Sequence, residues 1–231
     1  YLMKKIRKAY VDVGSDQIHY LYSKGQGIPL LLFHRTPASS VIYKRMMKRM
    51  LGSRPIYALD TPGFGESFNP EGMPDIKDYR DWFCEAIDNL GISSFHIYAH
   101  HTGTHIATEI AVHWKNRVQS LMLNGVAYLT EKERLKFGTQ ILSAARPDED
   151  GKYLMETWNI IKSLFPSFDR DLVHLEFIGA LRAMDGRDQA FRAIWEQEFT
   201  KVLRQIECPL FAMSAENDFF AEKLDRIKED F

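Results

Sequence analysis

The sequence predicts an α/β fold, in which a mostly parallel, twisted sheet is flanked by helices and carries an inserted helical cap. Strand-like and helix-like segments alternate over residues 1–126, as expected of helices that cover both faces of a parallel sheet. The alternation stops between residues 127 and 205, where the pattern is helical and rich in aromatic residues, and one further strand pattern follows. We therefore expect a core formed by residues 1–126 and 206–231, and a cap formed by residues 127–205.

The elements of the predicted core follow one another in a regular order. AYVDVG and QIHYLYSKG predict an early hairpin. Short apolar runs then predict buried strands, and apolar residues at helical spacing predict the helices between them. In chain order these segments are PLLLFH (strand), SSVIYKRMMKRML (helix, with Ser39 or Ser40 as N-cap), RPIYALD (strand), DYRDWFCEAIDNLG (helix), SFHIYA (strand), GTHIATEIAVHW (helix), VQSLMLNGV (strand) and, after the cap, CPLFAMSAEND (strand).

Composition narrows the class of partner. The chain has 231 residues, of which 45% are hydrophobic, so it can form one substantial core. Its 30 Lys and Arg residues and 31 Asp and Glu residues give a net charge of -1. The chain therefore has no excess of positive charge that would favour binding to nucleic acid or to an anionic membrane. No apolar run approaches the ~20 residues that span a bilayer, and the first residues lack the apolar stretch of a signal peptide. We expect a cytoplasmic protein that acts on a small-molecule substrate, and a homodimer is left open.

Four turn-like motifs each follow a predicted strand. They are FHRTPASS, DTPGFGES, AHHTGT and SAENDFF. Functional groups of open α/β sheets gather at the carboxyl ends of strands, so the four motifs are expected to meet at one site. Backbone N–H groups near Thr36 and the side chain of Asp218 would both face it.

This series of motifs resembles the α/β-hydrolase superfamily, in particular its cap-bearing members with a His-Gly-x-Pro oxyanion turn. The resemblance covers residues 9–231. The family's nucleophile elbow, Gly-x-nucleophile-x-Gly, matches residues 99–103, so His101 stands where the family has Ser, Cys or Asp. Ala99 replaces the first glycine of the elbow, and Arg35 replaces the glycine of the oxyanion turn. The resemblance implies that Thr36 and Thr102 supply the oxyanion-hole amides and that Asp218 is the acidic triad member. The family's general-base histidine would follow one more strand, beyond the last residue given.

His101 and Asp218 are therefore the predicted catalytic residues. An imidazole at the elbow can act as a nucleophile, as a base that activates water, or as a donor to a carbonyl. The positive end of a helix disfavours the imidazolium, which favours the role of base. The alternative is that His101 has no catalytic role and replaced the nucleophile in a site that has lost its activity.

The neighbouring residues His34, Arg35 and His100 are predicted to bind substrate. Each has a structural alternative: His34 can close the oxyanion turn by hydrogen bonding, and His100 can support the elbow by packing. Arg35 can pair with a carboxylate of the protein instead of a substrate carboxylate. His101 and His105 have the four-residue spacing of a metal-binding helix but lack the accompanying Glu and a third ligand. We expect no metal and no cofactor.

Three functions fit these residues. The first is a hydrolase of small, largely apolar esters, lactones or related carbonyl compounds. The second is a cofactor-free lyase or isomerase in which His101 moves a proton. The third is a catalytically inactive ligand-binding homologue. Fold resemblance cannot choose among them, because the fold hosts all three classes.

Overall fold

Seven strands form one mixed sheet, which confirms the predicted fold class. The structure, a computed structural model, describes residues 5–138, 144–165, 167 and 169–231. The sheet order is β1-β2-β4-β3-β5-β6-β7. β1 and β2 form the predicted hairpin, β2 pairs antiparallel with β4, and the strands from β4 onwards are parallel. The strands are β1 Arg7–Val13, β2 Asp16–Ser23, β3 Leu30–Phe33, β4 Ile56–Leu59, β5 Phe95–His100, β6 Val118–Asn124 and β7 Leu210–Met213.

Eight α-helices accompany the strands in the described part of the chain. They are α1 Lys44–Arg49, α2 Ile76–Asn89, α3 Thr102–His113, α4 Glu131–Gly138, α5 Lys152–Ser163, α6 Arg170–Glu196, α7 Phe199–Leu203 and α8 Leu224–Asp230. α2 begins with a capping box, in which Asp75 and Asp78 each accept a hydrogen bond from the other residue's backbone N–H.

Ser39 occupies the predicted N-cap position at the start of the first helical turn, but its side chain does not cap it. A 3-10 turn over Ser40–Tyr43 precedes α1, and Ser39 makes no capping hydrogen bond with its side chain. The backbone N–H of Ser40 instead donates to the Asp60 carboxylate at 2.6 Å. The buried carboxylate of Asp60, in the loop after β4, therefore accepts from an N–H group at the start of the turn, where N–H groups lack partners within the helix.

The helices α4 to α7 lie between β6 and β7 in the chain, within residues 127–205. α6 is broken at Met184, whose φ is 20°, and just beyond the break it crosses the loop that follows β4. A Cβ on Gly186 would lie 2.3 Å from the Gly63 carbonyl oxygen, so only glycine allows this approach. The second half of α6 and α7 contribute Ala193, Ile194, Phe199 and Leu203 to the same hydrophobic cluster as the sheet. Phe168, one of the aromatic residues assigned to the cap, is outside the described residues.

None of the helices in the described ranges combines the length and the apolar character that crossing a membrane requires.

Candidate active site

His101 lies at a sharp turn between β5 and α3. Its φ of 46° and ψ of -113° are a conformation that non-glycine residues rarely adopt. Hydrogen bonds hold it on both sides: its N–H donates to the Asn124 carbonyl at 2.9 Å, and its own carbonyl accepts from the N–H of Thr104 at 2.8 Å. The turn also depends on Gly103, where a Cβ would lie 2.5 Å from the Phe33 carbonyl oxygen. The strained turn presents the His101 side chain at the carboxyl ends of the parallel strands.

The side chain of His101 forms a dyad with Asp218, which follows β7. Nε2 of His101 lies 2.8 Å from Oδ2 of Asp218, and the two side chains are 25% and 9% exposed. Gly125 leaves room for this contact, since a Cβ there would lie 2.6 Å from Nε2. Burial alone would raise the pKa of Asp218, but the hydrogen bonds from His101 and from the Phe220 N–H outweigh it and the pKa is lowered. The ionised carboxylate accepts the Nε2 proton, which leaves Nδ1 of a neutral His101 with its lone pair.

His100 lies directly beside the dyad. Its ring centroid is 4.7 Å from that of His101, and its Nδ1 is 3.3 Å from Nη1 of Arg35. Burial, the neighbouring His101 and Arg35 together lower the pKa of His100 to about 2. Because a guanidinium can only donate, Nδ1 of the neutral ring accepts and its proton is on Nε2. His100 thus adds no positive charge next to His101.

Arg35 connects the turn after β3 to α6. Its Nη2 lies 2.6 Å from Oε1 of Glu176 on α6, whose side chain is 2% exposed. Burial raises the pKa of Glu176, and the Arg35 charge opposes that rise. Of the two alternatives for Arg35, the structure shows the ion pair within the protein. Binding of a substrate carboxylate would require Arg35 to leave Glu176.

The two threonines assigned to the oxyanion hole are in contact. The Thr36 N–H donates to the Thr102 hydroxyl oxygen at 2.7 Å, and Thr102 is the first residue of α3, where N–H groups lack helical partners. Rotation of the Thr102 hydroxyl away from Thr36 would free the Thr36 N–H for another acceptor. The two residues predicted to form the oxyanion hole thus lie next to each other, and their role in binding an oxyanion stays a prediction.

His34 holds the backbone of the oxyanion turn. Its Nδ1 lies 3.0 Å from the Arg35 carbonyl oxygen, and its Nε2 accepts from the Thr61 N–H at 2.9 Å. Burial lowers the pKa of His34 against the opposing charge of Asp60. Both ring nitrogens are thus engaged by backbone groups, which is the structural alternative described above, and substrate binding by His34 stays a prediction.

Asp60 organises the loop after β4 and was not singled out from the sequence. Its buried carboxylate lies 2.7 Å from Nδ1 of His19 and accepts from the N–H groups of Ser40 and Glu66 at 2.6 and 3.0 Å. Burial would raise the pKa of Asp60, but these hydrogen bonds and nearby His34 lower it. Its position at the start of the motif DTPGFGES, directly after a strand, was the available signal.

The structure brings together three side chains that could bind a metal ion, and this set differs from the His101 and His105 pair considered in the sequence. His100, His101 and Asp218 each offer one ligand atom, and these atoms lie within 4.8 Å of one another. His105 is not a member of this cluster of described residues, and its Nδ1 lies 2.6 Å from Oε1 of Gln197. The Arg35 guanidinium next to His100 opposes a cation there.

Three comparisons relate the chain to known proteins. A family model described as the alpha/beta hydrolase fold matches residues 28–223. The chain belongs to the α/β-hydrolase fold family. Within this family, (E)-2-((N-methylformamido)methylene)succinate hydrolase of Acinetobacter baylyi is 24% identical over 218 residues, which are 90% of this chain and 79% of that protein. An uncharacterized hydrolase of Saccharomyces cerevisiae is 30% identical over 133 residues, 55% of this chain and 44% of that one. A thermophilic esterase from Thermogutta terrifontis superposes with a TM-score of 0.75 at 17% identity, over 97% of this chain and 86% of that chain.

Proposed function

We propose that this α/β hydrolase cleaves small, largely apolar esters, lactones or related carbonyl compounds, with His101 and Asp218 as its catalytic dyad. The observation that carries the proposal is the 2.8 Å contact between His101 and Asp218 at the strained turn. A carboxylate that orients an imidazole is the arrangement by which hydrolases prepare a general base. The hydrolase relative in Acinetobacter baylyi and the structural likeness to an esterase support the reaction class.

The proposed reaction uses water as the nucleophile. Nδ1 of His101 takes a proton from a water molecule as its oxygen forms a bond to the substrate carbonyl carbon. The amides of Thr36 and Thr102 donate to the resulting oxyanion once the Thr102 hydroxyl has rotated. The tetrahedral intermediate then breaks its bond to the leaving oxygen, which receives the proton from His101. Asp218 stabilises the transient imidazolium throughout.

The test compares His101→Ala and Asp218→Asn with the wild type on an aryl acetate. Loss of a general base typically costs about 10²–10⁴-fold in rate, so we expect kcat/KM to fall by at least about 100-fold for His101→Ala. His113→Ala is the matched control, because it removes an exposed imidazole from the last residue of α3, the helix that follows His101. Undiminished turnover by purified His101→Ala would contradict the proposal.

The same dyad supports a second candidate, a cofactor-free lyase or isomerase. Position 101 carries no hydroxyl, thiol or carboxylate nucleophile, and a base beside two amide donors is also suited to forming an enolate. This reaction would exchange deuterium from solvent into the α-carbon of a bound ketone without hydrolysis, which NMR detects. If neither reaction occurs while ligands raise the thermal stability, the inactive binding protein is the remaining alternative.

A further inference from the structure

A cavity lies behind the catalytic turn, between α3, the loop after β6 and the junction of α6 and α7. Its volume is about 90 Å³. A cavity of about 150 Å³ can hold benzene, so this one has room for roughly four non-hydrogen atoms. The residues that line it include neither member of the dyad and neither threonine of the predicted oxyanion hole. It is therefore separate from the candidate active site.

His105 of α3 lines this cavity, and a chain of hydrogen bonds fixes the position of the proton on its ring. The side-chain amide of Gln197 donates from Nε2 to the Glu109 carboxylate at 2.6 Å, since an ionised carboxylate can only accept. The amide oxygen of Gln197 therefore faces His105, 2.6 Å from Nδ1. Because a carbonyl oxygen cannot donate, Nδ1 carries the proton and Nε2 carries the lone pair.

Nε2 of His105 has no hydrogen-bond partner among the described residues. The residue is 2% exposed. Several buried polar side-chain atoms of the described residues lack both a partner and contact with free space, and Nε2 of His105 is not among them. Its lone pair therefore borders free space, and the cavity is the free space that His105 lines. Buried acceptors are nearly always hydrogen-bonded, so Nε2 indicates a donor from outside the protein.

The surroundings of His105 favour a neutral donor over a cation. Burial lowers the pKa of His105 to about 4, and the neighbouring His101 contributes to this decrease. A positive charge on the ring is thus unfavourable at neutral pH. An ammonium group in contact with Nε2 would meet the same desolvation penalty, whereas a hydroxyl group would not.

An anion is disfavoured in the cavity as well. Both cations that line it are engaged by the protein: Lys201 pairs with Glu198, and Arg134 donates to the Trp195 carbonyl. The carboxylate of Glu131, which also lines it, repels an anion. The apolar wall suits the carbon atoms of a small neutral ligand and is formed by Ala127, Leu129, Ile194 and Phe199.

We propose that this cavity binds a small, otherwise apolar alcohol, whose hydroxyl group donates a hydrogen bond to Nε2 of His105. His105 lies one turn along α3 from His101, so the alcohol would occupy a second ligand site behind the dyad. The binding does not rest on the proposed function, although hydrolysis of an ester releases an alcohol of this class.

Three ligands with one carbon skeleton test the proposal. 2-Propanol presents a neutral donor, acetone only an acceptor, and the isopropylammonium ion a charged donor. NMR titrations at pH 7 and constant ionic strength, which follow the backbone amides of Leu129 and Thr200, give the three dissociation constants. We expect the wild type to bind 2-propanol roughly three- to tenfold more tightly than acetone, the range of one net hydrogen bond, and to bind the ammonium ion most weakly.

A histidine-to-asparagine variant removes the acceptor and keeps the internal hydrogen bond. In His105→Asn the new amide can donate to Gln197 in place of Nδ1 but has no atom in the position of Nε2. The ratio between the affinities for 2-propanol and acetone should therefore fall to about one. His113→Asn is the matched control, because it changes an exposed histidine at the end of the same helix and should leave the ratio unchanged.

The tautomer of His105 is a second readout, which requires no variant. Long-range proton–nitrogen NMR spectra of the free wild type should show the ring proton on Nδ1. A proton on Nε2, equal affinities of the wild type for 2-propanol and acetone, or tightest binding of isopropylammonium overturns the inference. A ratio that stays the same in folded His105→Asn overturns it too, and thermal unfolding shows whether that variant is folded.

Discussion

At the scale of single residues, Asp60 is a buried charge that connects β2 with two further segments near the site. It accepts hydrogen bonds from His19, from the start of the turn at Ser40 and from the loop at Glu66. A Cβ at Gly65 would lie 2.0 Å from its carboxylate, so the chain wraps tightly around this one group. Breaking a buried charged network by changing one member typically costs about 3–5 kcal/mol.

We predict that Asp60→Asn lowers the free energy of unfolding by about 3 kcal/mol at neutral pH. The pKa of Asp60 in the folded state is lowered, so its stabilisation is present above the unfolded pKa of about 3.9 and is lost as the pH falls through the folded value. Urea denaturation of both proteins at pH 7 and at pH 3 should therefore show a difference that shrinks in acid. A difference that is equal or larger at pH 3 would contradict this account. Asp225→Asn, which removes an exposed carboxylate, is the control.

At the scale of elements, the ion pair between Arg35 and Glu176 couples the turn after β3 to α6. Glu176 is almost fully buried, while Arg35 keeps 21% of its side chain exposed. Removing only the arginine leaves a buried carboxylate without its cation, whereas removing both charges leaves an apolar contact. A double-mutant cycle therefore separates the coupling from the packing of the two side chains.

We predict that Arg35→Met lowers the free energy of unfolding by about 1–3 kcal/mol, and that the double variant Arg35→Met, Glu176→Met recovers most of this loss. The pKa of Glu176 is raised by burial and should rise further without Arg35. A raised folded pKa contributes stability that is fully present at low pH and is lost as the pH rises, so the penalty of Arg35→Met should be greater at pH 8 than at pH 5. Chemical denaturation at both pH values measures it.

The exposed pair of Arg45 and Asp169 provides the comparison for this cycle. Those side chains are 63% and 39% exposed, and exposed pairs contribute less than about 1 kcal/mol. Arg45→Met should therefore change stability little at either pH. An equal penalty for Arg35→Met and Arg45→Met would show that the pair with Glu176 does not couple the two elements.

The strands could be predicted from the sequence because each produces a local run of apolar residues. Residues of the site could be predicted only where a motif follows the end of a strand. Alternation of apolar runs located the strands, and the motifs around residues 34, 101 and 218 predicted which loops meet, because parallel strands end at one edge. Glu176 gave no such signal: its contact with Arg35 depends on how α6 is broken at Met184 and where it crosses Gly63.

At the scale of the whole molecule, the second half of α6 and α7 share one hydrophobic cluster with the sheet. Ala193, Ile194 and Phe199 belong to the same cluster as residues of β3, β5 and α3. Polar contacts add to this connection: the side-chain amide of Gln189 donates to the carbonyls of Pro70 and Gly72 at 3.0 and 2.8 Å. An element that buries its apolar face against the main core has little stability of its own.

We therefore predict that the helical segment and the sheet unfold in one cooperative transition. In Trp82→Phe, Trp114→Phe the remaining tryptophans, Trp158 and Trp195, are in α5 and α6, so fluorescence reports on the helical segment while far-UV circular dichroism reports on the whole chain. The two urea transitions should have the same midpoint and slope, because loss of α6 would expose the hydrophobic cluster that it shares with the sheet. A fluorescence transition at clearly lower urea would instead show that α5 and α6 open independently. In Gly186→Ala the added Cβ meets the Gly63 carbonyl, so α6 must shift, and both midpoints should decrease together.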